Sequence, residues 1–336
     1  MNFKCKSGVG QGDVMSPNLF NLYINDLPSI FEGDTDSPKL GNHFIHCLLY
    51  ADDLVLLSLT AEGLQNKLDK LNMYCNEWEL NINVKKTQLM AMSNKKEELP
   101  TTVVKIGESV LKWVDKYKYL GIEIHSDGNF ILSCNNLCVR GWKAAFKIKS
   151  ALKRIDVNPD LTLKLFDALV KPIICYGSEI WGIMNNLFNS KSIDQFWERL
   201  ENLPVENFQI KFCKGVLGVG QKSTNVAVMG EVGRFPMFMY IMKSILRYLS
   251  HLNDLKVERP LLSAAMLEDA NLCVSKSWIG RVEKILEMFH CSLENMSIDD
   301  CIKRMQSNMK REYVINWQKS WEIRSLILGS CTYTAI

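Results

Sequence analysis

The feature that most constrains this chain is a change in hydrophobic rhythm near residue 128. Ahead of it, alternating apolar stretches interleave with stretches that repeat every three to four residues. Beyond Phe130 nearly every apolar run carries the i, i+3, i+4 spacing of helices. The switch predicts an α+β layer over residues 1–128 and an all-helical region over 129–336. A chain of 336 residues is long enough for two cores. With 47% hydrophobic and 23% charged residues, it lies outside the disordered and collagen-like classes.

Charge is nearly balanced: 40 Lys and Arg against 37 Asp and Glu give a formal +3, so any affinity for a polyanion must be local. Met1 to Asp13 is polar and Gly-rich, without the apolar stretch of a signal peptide. Together with 11 cysteines this predicts reduced thiols in a nuclear or cytoplasmic protein that is not secreted. No apolar run reaches the roughly 18 residues of a membrane span; the best candidate, Phe235 to Leu246, is short and contains Lys243. The cysteines show no C-x2-C pairing, so no zinc site is expected.

Within the first 128 residues, Gly8-Val9-Gly10-Gln11-Gly12 feeds a helix that should start with Ser16 as N-cap and Pro17 at its first position and stop at Pro28. Cys47–Tyr50 and Leu54–Leu57 read as the arms of a hairpin with Ala51-Asp52-Asp53 at the tip. An amphipathic helix over Ala61 to Trp78 follows, with Leu64, Leu68, Leu71, Cys75 and Trp78 on one face. Val103 to Ile124 holds two hairpin-like stretches, the first turning at Gly107-Glu108. Helices are then expected near 131–155, 160–185, 190–217, 236–252, 276–290 and 297–325, with a kink at Pro172.

Two adjacent carboxylates at a hairpin tip repel, and a hairpin has no need of them. Either they are solvated turn residues or a cation relieves the repulsion, and for the pair alone the solvated turn is the commoner case. The order of segments bears on the choice. Gly8-Val9-Gly10-Gln11-Gly12 with Ser16-Pro17 and Leu19-Phe20, then Tyr50-Ala51-Asp52-Asp53, then Asn83-Val84-Lys85-Lys86-Thr87, then Tyr119-Leu120-Gly121, resembles four successive blocks of the reverse transcriptases of non-LTR, LINE-like retrotransposons. The match runs across residues 8–124.

That resemblance implies a partial right-hand polymerase palm, an antiparallel sheet with helices, followed by an all-α thumb and C-terminal helical region. It implies RNA-directed DNA polymerisation, with an RNA template, a DNA primer and deoxynucleotides as partners and a two-ion magnesium site as cofactor. Asp52 and Asp53 would be catalytic and metal-binding, and Lys86 would neutralise or protonate the departing pyrophosphate. Gln11, Gly12, Tyr50 and Ala51 would lie against nucleotide or template. Tyr119, Leu120 and Gly121 would grip the primer. For Lys86 the residues alone favour a solvated lysine beside Lys85.

The family pattern also has an acidic strand before the Gly-Gln-Gly block. Only Met1 to Ser7 precede that block here, none of them acidic, and Asp13 and Asp26 are poorly placed to substitute. The expectation is an N-terminally truncated polymerase with impaired catalysis. The alternatives are a non-catalytic nucleic-acid-binding remnant or pseudogene product, and a structural helical protein. In the second region, Arg140, Lys143, Lys147 and Arg154 fall on about a third of a helical circumference, with no acid from 140 to 154. They are either a solvated basic face or a thumb helix along a nucleic-acid backbone.

Overall fold

The computed structural model describes residues 12–93, 100–152, 158–183, 186–294 and 296–328. Two compact units divide after Tyr117. The division falls ahead of residue 128 because the last hairpin is held by the helical unit: Ile122 joins its core and Glu123 accepts hydrogen bonds from Ser133 and Asn136.

In the first unit, α1 (Ser16–Tyr23) begins one residue earlier than the sequence suggests. Met15 occupies the N-cap without a side-chain hydrogen bond, Ser16 is itself helical and buried, and Pro17 follows within the first turn. Pro28 does not stop this helix; it lies in the first turn of a separate 3-10 helix, Leu27–Phe31. Short strands β1 (Lys39–Leu40) and β2 (His43–Phe44) precede the hairpin β3 (Cys47–Tyr50) and β4 (Asp53–Leu56). α2 (Ala61–Glu77) is capped by Thr60, whose Oγ1 accepts the Gly63 amide at 3.0 Å. Its Leu71, Tyr74 and Cys75 form one small core with Ile24, Leu27 and Phe31, while Leu68 joins a second with Leu89, Val104, Ile106 and Leu111. Lys67, on the same helix, is also buried. Its ammonium donates to the carbonyls of Asp36 and Leu57 and to Ser37 Oγ, each at 2.6 Å, which ties the end of β4 to the 36–37 loop.

The continuous antiparallel sheet implied by the resemblance is absent among the described residues. Five separate two-stranded ladders take its place: β1–β2, β3–β4, and three formed by β5 (Gln88–Leu89), β6 (Lys105–Ile106), β7 (Ser109–Val110), β8 (Lys112–Trp113), β9 (Lys116–Tyr119) and β10 (Ile122–His125). β6 and β7 turn at Gly107-Glu108 as the sequence predicts, β9 pairs with β10, and β5 pairs with β8 in parallel. Six of the ten strands have only two residues and so expose few pairing groups for a further neighbour.

The second unit is helical throughout. α3 (Ile131–Leu152) buries Cys134, Leu137, Cys138, Gly141, Ala145 and Ile148. A Cβ on Gly141 would lie 2.3 Å from Ile174 Cγ2, so glycine is what allows this helix to approach α5 (Lys171–Ile174). The single helix expected over 160–185 is broken into α4 (Pro159–Leu165), a π turn (Phe166–Val170), α5 and α6 (Ser178–Trp181). The π turn is the form taken by the expected Pro172 kink, since a proline without an amide disrupts the regular ladder. The helix expected over 190–217 likewise divides into α7 (Ile193–Glu201) and α8 (Pro204–Val216) at Leu203-Pro204. α9 (Asn225–Glu231), α10 (Met237–Leu255), α11 (Pro260–Asn271), α12 (Trp278–Met288) and α13 (Ile298–Leu328) complete the unit. Trp181, Trp197, Phe196, Phe238 and Phe289 fill the middle of its core. Among the described residues no helix is long and apolar enough to cross a membrane.

Glu206 on α8 is buried, and its carboxylate oxygens accept the Met237 amide at 3.0 Å and the Phe238 amide at 2.7 Å. It thereby caps α10 from a distance, because the local N-cap, Pro236, makes no side-chain cap bond. Burial pushes the Glu206 carboxyl up from 4.5 to about 7, outweighing the two amides that favour the charged form. Between those values the folded chain keeps a proton that the unfolded chain releases. The stability from this group is therefore complete below about pH 4.5 and is lost as pH rises through 7. Glu206→Gln should remove that dependence. The difference in urea-unfolding free energy between wild type and variant is expected to change by about 3 kcal/mol across this window.

Candidate nucleic-acid and nucleotidyl-transfer site

The β3–β4 register pairs Cys47 with Leu56, Leu48 with Val55, Leu49 with Leu54 and Tyr50 with Asp53. The tip is thus shorter than the sequence suggests: Ala51 and Asp52 form a two-residue turn and Asp53 opens β4. Side chains alternate across a strand, so Cys47, Leu49, Leu54 and Leu56 share one face and Leu48, Tyr50, Asp53 and Val55 the other. On the first face, Cys47, Leu54 and Leu56 pack against the core formed by Ile24, Phe31 and Leu71. On the other, Leu48 and Tyr50 are 47% and 62% exposed, so Asp53 stands on an open, largely apolar surface.

Ala51 has φ of +52°, in the left-handed region that favours glycine, whereas Asp52 does not. A non-glycine residue is uncommon at such a φ, because its Cβ crowds the backbone. The turn therefore holds some strain at the residue that aims the carboxylates. Ala51→Gly should relieve it and raise the unfolding free energy by about 0.5–1 kcal/mol, read as a higher urea midpoint.

Asp52 and Asp53 are both exposed, and neither is paired with a cation among the described residues. Among those residues no group of three or more His, Cys, Asp or Glu comes together. Hard divalent ions of the magnesium type accept one or two carboxylates and complete their shell with waters and substrate phosphates. Two adjacent, unneutralised carboxylates on a core-anchored hairpin fit that requirement. They fit as a partial set that needs other ligands.

Lys86 occupies a different turn. The Asn83 carbonyl accepts the Lys86 amide at 3.0 Å, the Thr87 amide at 3.1 Å and Thr87 Oγ1 at 3.0 Å, and this turn presents the Lys86 side chain to solvent. Gly12 has φ of +89° with nothing near the position of a Cβ, and Gln11 lies outside the described residues. Asp13 and Asp26 are both engaged elsewhere. Asp13 Oδ1 accepts the Met15 amide, and Asp26 Oδ1 accepts the Tyr74 hydroxyl at 2.6 Å.

In the helical unit, Leu120 and Gly121 form the two-residue turn between β9 and β10. Both have positive φ, +46° and +88°, the pattern of a I′ turn. Tyr176, half exposed, holds this turn. Its hydroxyl donates to the Leu120 carbonyl at 2.9 Å, and a Cβ on Gly121 would lie 3.0 Å from its ring. The helix expected over 160–185 runs through Tyr176; the Tyr176-Gly177 pair, with Gly177 at φ +66°, breaks it and leaves Tyr176 beside the turn. Arg140, Lys143 and Lys147 are exposed along α3, opposite its buried stripe, and none pairs with a carboxylate among the described residues. Arg154 lies outside the described residues. Phe146 is 63% exposed and borders the basic face.

Residues 1–124 match the family model of reverse transcriptases, RNA-dependent DNA polymerases. The chain is 25% identical over 189 residues to the RNA-directed DNA polymerase from mobile element jockey of Drosophila melanogaster, covering 53% of this chain and 19% of that protein. It is 30% identical over 206 residues to the Retrovirus-related Pol polyprotein from type-2 retrotransposable element R2DM of the same fly, covering 59% and 19%. A third relative, the probable RNA-directed DNA polymerase from transposon BS, is 29% identical over 190 residues, covering 53% and 20%. The chain spans about a fifth of the length of these curated relatives. The first 124 residues are thus similar to reverse transcriptases. The relatives are polymerases of non-LTR retrotransposons, the group that the four sequence blocks resemble.

Proposed function

We propose that this chain is part of an RNA-directed DNA polymerase of a LINE-like retrotransposon, its first unit contributing palm and its second thumb. The observation that carries the reading is the turn, with Ala51 at positive φ, that holds two unneutralised carboxylates, Asp52 and Asp53, at the exposed tip of a core-anchored hairpin. The reaction is attack of a primer 3′-hydroxyl on the α-phosphate of a deoxynucleotide. Magnesium ions, when bound, supply charge neutralisation on the phosphoryl oxygens. Asp52 and Asp53 would hold those ions, and Tyr50 and Ala51 would lie against the nucleotide or template. Gln11 and Gly12 line the nucleotide or template, and Lys86 meets the pyrophosphate. The rigid Tyr119-Leu120-Gly121 turn bears on the primer, while Arg140, Lys143, Lys147 and Arg154 follow the backbone phosphates.

Two carboxylates make a partial ligand set, whereas backbone contacts are spread over many residues. The 336-residue chain by itself should then bind a primer–template better than it extends it. A second reading, a nucleic-acid-binding remnant without catalysis, is favoured by the same observation that only two acids share the hairpin tip. The test is anisotropy with a DNA primer on an RNA template, together with primer extension in magnesium. Salt-sensitive hybrid binding with slow extension is expected. Binding without extension at any protein concentration selects the remnant, and no hybrid binding at low salt removes both readings.

A further inference from the structure

A second charged concavity lies wholly within the helical unit, beyond the 124 residues matched by the family model. It is an open cleft of about 480 Å3 between α4, the start of α5, the turn at 232–236, α10 and α13. Five cations line it, Lys164, Lys171, Arg234, Lys243 and Lys310, against two carboxylates, Asp160 and Asp167. Asp167 is already neutralised. Arg234 binds it with two nitrogens, at 2.9 and 2.7 Å, and Lys171 Nζ lies 2.6 Å from it. Arg234 also donates to the Leu163 carbonyl at 2.9 Å and lies over the Phe166 ring, so it is a fixed wall of the cleft. The cleft is thus left with Lys164, Lys243 and Lys310 against Asp160 alone, and none of these lysines pairs with a carboxylate among the described residues.

Two exposed aromatic rings stand in the same cleft, each beside an ammonium group. Lys171 Nζ is 5.0 Å from the Tyr240 ring centre, and Lys310 Nζ is 5.2 Å from that of Phe235. Phe235 is braced edge-on by Tyr313 at 5.9 Å, and Tyr240 projects from the first turns of α10. A simple anion would use the lysines and leave the rings idle, and an apolar ligand would leave the charges unmet. Rings that can stack bases, alternating with cations that meet phosphates, suit a flexible strand with unpaired bases.

We infer that this cleft binds a single-stranded polynucleotide, with bases stacked on Phe235 and Tyr240 and phosphates held by Lys164, Lys243 and Lys310. The site does not depend on the polymerase reading, because no residue of the β3–β4 hairpin or of the α3 basic face takes part.

The test uses the full chain and fluorescein-labelled 12-nucleotide oligo(U) and oligo(dT), followed by anisotropy from 50 to 200 mM salt. Joint replacement Lys164→Gln, Lys243→Gln and Lys310→Gln is expected to weaken binding at least tenfold and to reduce the slope of log K against log salt by about 2. Tyr240→Ala is expected to weaken binding about tenfold with the salt slope unchanged. Thermal midpoints within a few degrees of wild type show that the variants fold. Tighter binding of oligo(U) identifies RNA through its 2′-hydroxyls, and equal affinities identify a site blind to the sugar; both support the cleft. Wild type that fails to bind either oligonucleotide, or variants that bind as wild type does, overturn the inference. So does loss of binding only on Arg140→Gln, Lys143→Gln and Lys147→Gln, which would assign the strand to α3.

Discussion

Asp52→Asn is expected to reduce magnesium-dependent primer extension by at least about a hundredfold while primer–template affinity changes less than about twofold. Even partners that only orient a metal ligand cost tenfold to a hundredfold in affinity or activity when lost, so a direct ligand should cost no less. Asparagine keeps the shape of the turn and one carbonyl oxygen, and it removes the charge. Neither the β3–β4 register nor the packing of Leu54 and Leu56 against the core involves the Asp52 side chain, so the fold should be unaffected. The substitution also removes the repulsion between adjacent carboxylates, so the hairpin should be no less stable than in wild type. Extension that persists undiminished in Asp52→Asn would show that the tip does not hold the reacting metal.

Trp181→Ala is expected to lower the unfolding free energy by about 4 kcal/mol, measured by urea denaturation, and to loosen the Leu120-Gly121 turn. The indole is 1% exposed in the middle of the helical core. Its Nε1 donates to the Tyr176 carbonyl at 2.8 Å, and the Tyr176 hydroxyl donates in turn to Leu120 at 2.9 Å. Tyr176 therefore links the core to the Leu120-Gly121 turn, beside the contacts that Ile122 and Glu123 make farther along β10. Trp181→Phe separates the two roles: it retains most of the packing and gives up the N–H, so it should cost roughly 1–2 kcal/mol. A variant with near-wild-type stability and weakened primer–template binding would identify Tyr176 as a positioning residue for the turn.

Sequence signals match the structure where the physics is local. The two arms around Asp52, the start of α2 beside Thr60, the Gly107-Glu108 turn and the amphipathic stripes of α3, α10, α12 and α13 all depend on neighbours a few residues away. Where long-range packing decides, the sequence was silent. The parallel pairing of β5 with β8 joins Leu89 to Trp113 across a loop that no periodicity announces. α11 buries none of its residues, so no apolar stripe marks it in the sequence. Lys67 reads as a solvent-facing charge, yet three acceptors supplied by other segments bring it inside. The cleft around Tyr240 draws on residues from 160 to 310, which no linear motif collects.

The division of the first unit into two small cores, each beneath separate short ladders, has a kinetic consequence. A strand pair that shares no ladder with its neighbours can open without waiting for them. Amide protons of Leu48 to Val55 should then trade for deuterium through opening of that ribbon alone. Those along α10, sealed beneath Phe238, Ile241 and Ile245, should wait for a far larger part of the chain to come apart.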